Sequence, residues 1–430
     1  VAPSGDDANS GSISAPFRTL QRAADMVQPG KTVILRAGTY AGFTLRRSGT
    51  ATAPITFMAY TGEAPVVDGF DTTLYTIRLT AVRYVTLTGL TVQGGYGDRQ
   101  SGGGISVENS SYVIVRNNVL RDNKSYGVRS NDSTNVVIDD NDITGNAVGV
   151  HIGGGGAGTV VSSNLIHDND RMMVNTSDDP GDDAGGEAVA LVKSTGHVVV
   201  RNNYIWGNRA VSYDYGYDGG AFSIYAASNW EITDNHTWDN RNIMETGTDA
   251  AKTPCDGGQF TRNVNYGATT VDVTVGMVLR CASNTLVANN TFQGIQHHVF
   301  DISHNKGSWG GSIEGLRIIN NVISISTGKI YGIESALPAS VVIDQNLLYQ
   351  AGPGPIATVM GSPASSLETF RSWTGREAQG LVADPRFIDV AGNDYRLQSG
   401  SPAIDSGRSI AGVTDGYVGA APDRGAIEQR

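Results

Sequence analysis

Tyr112-Val113-Ile114-Val115-Arg116-Asn117-Asn118 is answered by Val136-Val137-Ile138-Asp139-Asp140-Asn141, which places Asn141 23 residues after Asn118. The same step recurs at Ser163-Asn164, Asn202-Asn203, Asp234-Asn235, Asn289-Asn290 and Asn320-Asn321, beside strings such as Val198-Val199-Val200 and Leu316-Arg317-Ile318-Ile319. Successive second residues are 23, 23, 39, 32, 55 and 31 apart. The intervals of 39 and 32 read as coils carrying inserted loops, and 55 as two coils. A period in the low twenties, with short β-branched strands and no helical pattern between them, is the signature of a parallel β-solenoid. Asn suits the turn because it tolerates left-handed backbone angles and its amide can bond the Asn stacked on the next coil. Val and Ile fit a pleated, tightly stacked interior.

At 430 residues the chain could hold two or three ordinary domains, but a solenoid runs this long as one body. The expected layout is a cap over 1–40, coils over 41–350 and a second cap with loops over 351–430. Fifty-five glycines and only 17% charged residues suit a turn-rich all-β protein. The net charge of −11 argues against nucleic acid and opposes a polyanionic substrate unless cations or a local basic groove intervene. No apolar run reaches the ~18 residues of a membrane span. Cys255 and Cys281 lie 26 residues apart, about one coil, so a disulfide and an exported protein are expected. A monomer is expected.

Ala15 to Val27 places apolar residues at Phe17, Leu20, Ala24 and Val27 before Pro29-Gly30, which predicts an amphipathic helix capping the first coil. Ser365-Ser366-Leu367-Glu368 reads as a capping box opening a second helix through Phe370 and Trp373. The entry Ala15-Pro16-Phe17-Arg18-Thr19-Leu20, Pro29-Gly30-Lys31-Thr32-Val33 and Arg36-Ala37-Gly38-Thr39-Tyr40 resembles that of right-handed parallel β-helix proteins of the pectate-lyase superfamily. The exit, Asp384-Pro385-Arg386-Phe387 and Ser401-Pro402-Ala403-Ile404-Asp405, resembles theirs too. The resemblance implies a secreted carbohydrate-active enzyme, although a fold by itself does not entail an activity.

Inserted loops should leave the solenoid at about 171–186 and 210–219 and wall a cleft. They carry Asp178, Asp179, Asp182, Asp183, Asp214 and Asp218, with Glu187 at their border and Glu245 on the next coil. Aligning coils turns Val128, Val150, Phe222 and Met244 inward and Arg129, His151, Ser223 and Glu245 outward. Asp218 and Glu245, with Asp214, are therefore the expected catalytic carboxylates of a glycoside hydrolase, which needs no cofactor. Tyr213, Tyr215, Tyr217, Tyr225 and Trp206 would supply an aromatic wall for sugar faces. Glu187, His151, Arg129, Lys193 and Asp301 are expected to bind the polysaccharide.

The alternative is a calcium-assisted uronate lyase. Asp178, Asp179, Asp182 and Asp183 would hold the ion, since calcium takes oxygen ligands from short flexible loops. The superfamily's calcium-dependent pectate lyases carry a base Lys just after an Asp-Gly-Phe turn. Here Asp218-Gly219-Gly220-Ala221-Phe222-Ser223-Ile224 has none, and Lys193 lies one coil earlier. A non-catalytic glycan-binding solenoid is the third reading.

Overall fold

Each repeat of the sequence becomes one turn of a coil built from three short strands in the computed structural model, which describes residues 1–98, 101–178, 181, 183–267, 275–304 and 307–429. One coil uses Ser111–Arg116, Val119–Arg121 and Tyr126–Asn131; the next uses Val137–Asp139, Asp142–Thr144 and Val148–Gly153. Equivalent strands pair in parallel and in register, Val115 beside Ile138, Leu120 beside Ile143 and Val128 beside Val150. Three parallel sheets result, called here the first, second and third faces in the order the strands follow. All six of those side chains are fully buried, because strand alternation sends every second residue to the interior. Burying each contributes roughly 1.5–3 kcal/mol.

The chain divides into two compact units, Val1–Val199 with Asn203–Gly220, and Val200–Asn202 with Ala221–Arg430. Both are parallel β-helical, and both use the Asn steps in the same way. The first residue of each step takes the left-handed angle, with φ of 52° at Asn117, 54° at Asp140 and 57° at Asp234. The second is buried and makes the ladder. In the first unit Asn118, Asn141, Asn164 and Asn203 pass Nδ2–H to the next Oδ1 at 3.0, 2.9 and 3.0 Å. In the second unit Asn235, Asn263, Asn290, Asn321 and Asn346 do so at 3.0, 3.1, 3.0 and 2.9 Å. Asn263 falls inside the 55-residue interval, which is indeed two coils. A second ladder, Asn123, Asn146, Asn169 and Asn208, runs through the following turn at 2.9, 3.0 and 2.8 Å.

The first helix is Leu20–Met26, shorter than the amphipathic pattern predicts because Thr19 is its N-cap, its side chain accepting from the Arg22 N–H. Asp7 fixes that cap, accepting from the Arg18 and Thr19 N–H groups at 2.9 Å and the Thr19 hydroxyl at 2.7 Å. Leu20, Ala23 and Ala24 are buried, while Gln21 pairs its amide with the backbone of Thr44 at 3.2 and 2.9 Å, satisfying the open edge of strand Phe43–Leu45. Thr19→Ala should lower unfolding stability by ~1 kcal/mol, read from the urea midpoint; an unchanged midpoint would dismiss the cap. The second helix is Leu367–Thr374, capped by Ser366 with Thr369 rather than by the expected Ser365–Glu368 box. Cys255 and Cys281 form the disulfide that their one-coil spacing implies, with Cα atoms 5.7 Å apart. No helix among the described residues is long and apolar enough to cross a membrane.

Candidate functional site

The outward column of the third face holds in each unit. In the first, Thr44, Arg78, Ser106, Arg129, His151 and Ala190 are successive register partners. In the second, Ser223 lies beside Glu245, Glu245 beside Val278, Val278 beside Asp301 and Asp301 beside Gly332. Val128, Val150, Phe222 and Met244 point inward and are fully buried.

In the first unit the column is organised by Glu108, which the sequence reading missed. Arg78 donates to its Oε2 at 3.0 and 2.7 Å, the Ser106 hydroxyl donates to Oε1 at 3.0 Å, and Arg129 stands 3.6 Å from Oε1. Burial pushes this carboxyl up, but the Arg78 and Ser106 hydrogen bonds together outweigh it and hold it below its ordinary range. Two guanidiniums around one carboxylate leave a net positive spot in a chain of net charge −11. His151, ring-to-ring 4.9 Å from Tyr126, is pulled down to about 3 by desolvation and then by Arg129. It is thus a neutral imidazole near pH 7. Lys193 is exposed in the turn after strand Glu187–Val192, with φ of 54°, and Glu187 opens that strand beside Val148.

Both inserted loops are β-hairpins. Met172–Val174 pairs with Ala184–Gly185, and Ala210–Ser212 with Gly216–Asp218. Asp183 clamps them: it is buried and accepts from Thr176 N at 2.9 Å, Ser212 Oγ at 2.6 Å and Asp214 N at 3.0 Å. These bonds outweigh burial and hold its carboxyl below its usual range. Asp214 returns the clamp, accepting from Gly181 N at 2.7 Å. Of the four acids expected to hold calcium, Asp178 is exposed and Asp179 and Asp182 lie outside the described residues. Asp183 accepts from loop donors, so the described part of this loop braces the two hairpins. Among the described residues no group of three or more His, Cys, Asp and Glu has a metal-holding arrangement.

Tyr213, Tyr215 and Tyr217 stand exposed on the second hairpin, Tyr213 at 70%. Asp218 ends it opposite Ala210, half-buried. The adjoining Gly219, at φ of 110°, serves the fold: an added Cβ would lie 2.1 Å from Gly186 O, so the two loop backbones touch there. Trp206 is placed elsewhere than expected. It belongs to the second face and stacks on His167 at 4.2 Å.

In the second unit Glu245, on strand Asn242–Gly247, is ion-paired with the Arg280 guanidinium. Arg280 is positioned by its own N–H, which bonds Thr246 Oγ1 at 3.2 Å. Tyr225 ends the neighbouring strand beside Gly247 and meets Trp309 edge-on at 5.6 Å. A Cβ at Gly247 would fall 2.6 Å from the Tyr225 ring, so this glycine makes room for the aromatic wall next to Glu245. Asp301 occupies the same outward column two coils on, ~10 Å away at the backbone. Half-buried carboxylates, a guanidinium and aromatic rings thus share one strip, and such groups recur where sugar chains are bound and cleaved.

Comparison with known proteins agrees on this class. The family model for the Pel9A-like, right-handed β-helix region matches residues 1–301. The uncharacterized protein YwoF of Bacillus subtilis (strain 168) is 24% identical over 439 residues, covering 94% of this chain and 91% of that protein. The crystal structure of pectate lyase Pel9A superposes with a TM-score of 0.55 at 19% identity, over 100% of this chain and 96% of its own. A GH136 lacto-N-biosidase from Eubacterium ramulus superposes with a TM-score of 0.53 at 13% identity, over 89% and 67%.

Proposed function

The chain belongs to the Pel9A-like, right-handed β-helix family, and from that premise we propose that this carbohydrate-active protein is an exported enzyme hydrolysing glycosidic bonds of a polysaccharide. The observation that carries the proposal is Glu245, an ion-paired carboxylate on the outward column beside the Tyr225–Trp309 wall. An ion-paired carboxylate suits a base or nucleophile, and the partner reaction needs a second carboxyl to protonate the leaving oxygen. Asp301, two coils on in the same outward column, is the acid that can serve as that donor. The exposed tyrosines of the second hairpin offer sugar-stacking surfaces. The Cys255–Cys281 disulfide supports export.

The family itself and the pectate lyase Pel9A favour a second reading, elimination from a uronate with calcium as the acidifying ion. One experiment separates the two. A polysaccharide panel is scored for new reducing ends and for the ultraviolet absorbance of an unsaturated sugar, with and without chelator. Hydrolysis yields reducing ends alone and is indifferent to chelator. Absorbance that disappears with chelator would replace hydrolysis by elimination and return the Asp178–Asp183 loop to the centre of the site.

A further inference from the structure

Tyr84 and Tyr112 occupy a place in the coil where an aromatic residue is costly. Both have left-handed backbone angles, φ of 54° and 55°, which bring Cβ against the following carbonyl in any L residue. The next two coils show what the turn asks for, since Asn135 at φ of 52° and Gly158 at φ of 72° follow in the same groove. The rings lie parallel at 3°, centroids 4.7 Å apart, and a single such pair returns less than two left-handed bulky residues cost. Tyr112 is nonetheless 46% exposed. Neither ring fills the core, and neither hydroxyl is engaged by another described residue.

Beside the rings, Thr86, Ile114 and Val137 are register partners on successive strands of the first face and point outward. Rings and β-branched row line one open groove of about 410 Å³ whose described walls carry no charged side chain. We infer that this groove is a second, non-catalytic binding surface for a neutral stretch of glycan chain. A pyranose presents apolar C–H faces and a hydroxyl rim. Aromatic carbon, branched methyls and free phenol, threonine and asparagine donors and acceptors match both, while an ionic ligand finds no counter-charge. The groove's described walls hold no carboxylate, imidazole or amine to act as acid or base, so it anchors the polymer rather than cleaving it. The inference rests on the carbohydrate-active reading above.

The test is affinity electrophoresis of the whole chain in gels holding arabinoxylan, xyloglucan or arabinogalactan, with polygalacturonate as the charged control. At least one neutral glycan should retard the wild type. Tyr84→Asn/Tyr112→Asn should weaken that retardation on the order of tenfold while melting at or above the wild-type temperature, because Asn relieves the left-handed strain. Glu245→Gln should be retarded as the wild type is. Wild-type mobility unchanged by every neutral gel, a double variant retarded as before, or a double variant that melts lower would each overturn the platform. Turnover of soluble oligosaccharides without retardation sinks the platform alone, and retardation without turnover sinks only the hydrolase.

Discussion

Glu245→Gln should lose turnover by ~10³-fold on whichever polysaccharide the enzyme accepts, with folding unchanged. The substitution keeps the shape of the side chain and removes its charge, so the outward column, the Tyr225–Trp309 wall and the disulfide all remain. Arg280→Met probes the same carboxylate from the other side. It strips the guanidinium from Glu245 but leaves the backbone N–H that bonds Thr246 Oγ1. Its loss should appear in kcat rather than KM, because a residue that acts through Glu245 does not itself grip the substrate. Asp301→Asn, measured in the same way, tests the proton donor on that column. Steady-state kinetics alongside circular dichroism of each variant decides the matter. A Glu245→Gln enzyme with near wild-type kcat would remove this residue from the chemistry.

Why was Glu245 legible and Glu108 not? Asn steps give the coil count from Asn118 onward, and counting coils carries the outward position from Arg129 to His151 and from Ser223 to Glu245. The coils before Asn118 carry no such step, so nothing tied Arg78 and Ser106 to the column that Glu108 organises. The second ladder had a signal that went unused: Asn123, Asn146, Asn169 and Asn208 each stand five residues after a member of the first ladder. The acidic loop is ambiguous in sequence for a different reason. A carboxylate that binds an ion and one that accepts backbone N–H groups look alike in sequence, and only the hairpin pairing shows that Asp183 is committed to Ser212, Thr176 and Asp214. Trp206 followed the same logic, its neighbour in space being His167, one coil earlier on the second face. Periodicity places residues along the coil; loop partners depend on contacts that no period encodes.

Glu377 makes the protein less stable as pH rises. It is fully buried, and in the second unit it occupies the place where the Asn ladder would take its next rung. Asn346 Nδ2 donates to its Oε1 at 2.7 Å, Asn346 N to its Oε2 at 3.3 Å, and the Tyr331 hydroxyl to Oε1 at 2.5 Å. Arg424, packed nearby, spends its guanidinium on the carbonyls of Ser406, Asn346 and Gln379. Desolvation therefore dominates: it pushes the carboxyl up to about 7, against the downward pull of Tyr331 and Asn346. A folded-state pKa above the unfolded one means that the native chain holds the proton more tightly. The contribution is complete below the unfolded value near 4.5 and drains away as pH climbs to about 7. At 1.36 kcal/mol per unit the loss attributable to this side chain is ~3 kcal/mol. Glu377→Gln keeps an acceptor oxygen for Asn346 and Tyr331 and cannot ionise, so it should flatten that slope and be the more stable protein at pH 8. Urea unfolding of both proteins at pH 5 and pH 8 measures the difference. Equal losses in the two would mean that the buried carboxyl is ionised in the native state throughout, and that the ladder ends on a charge after all.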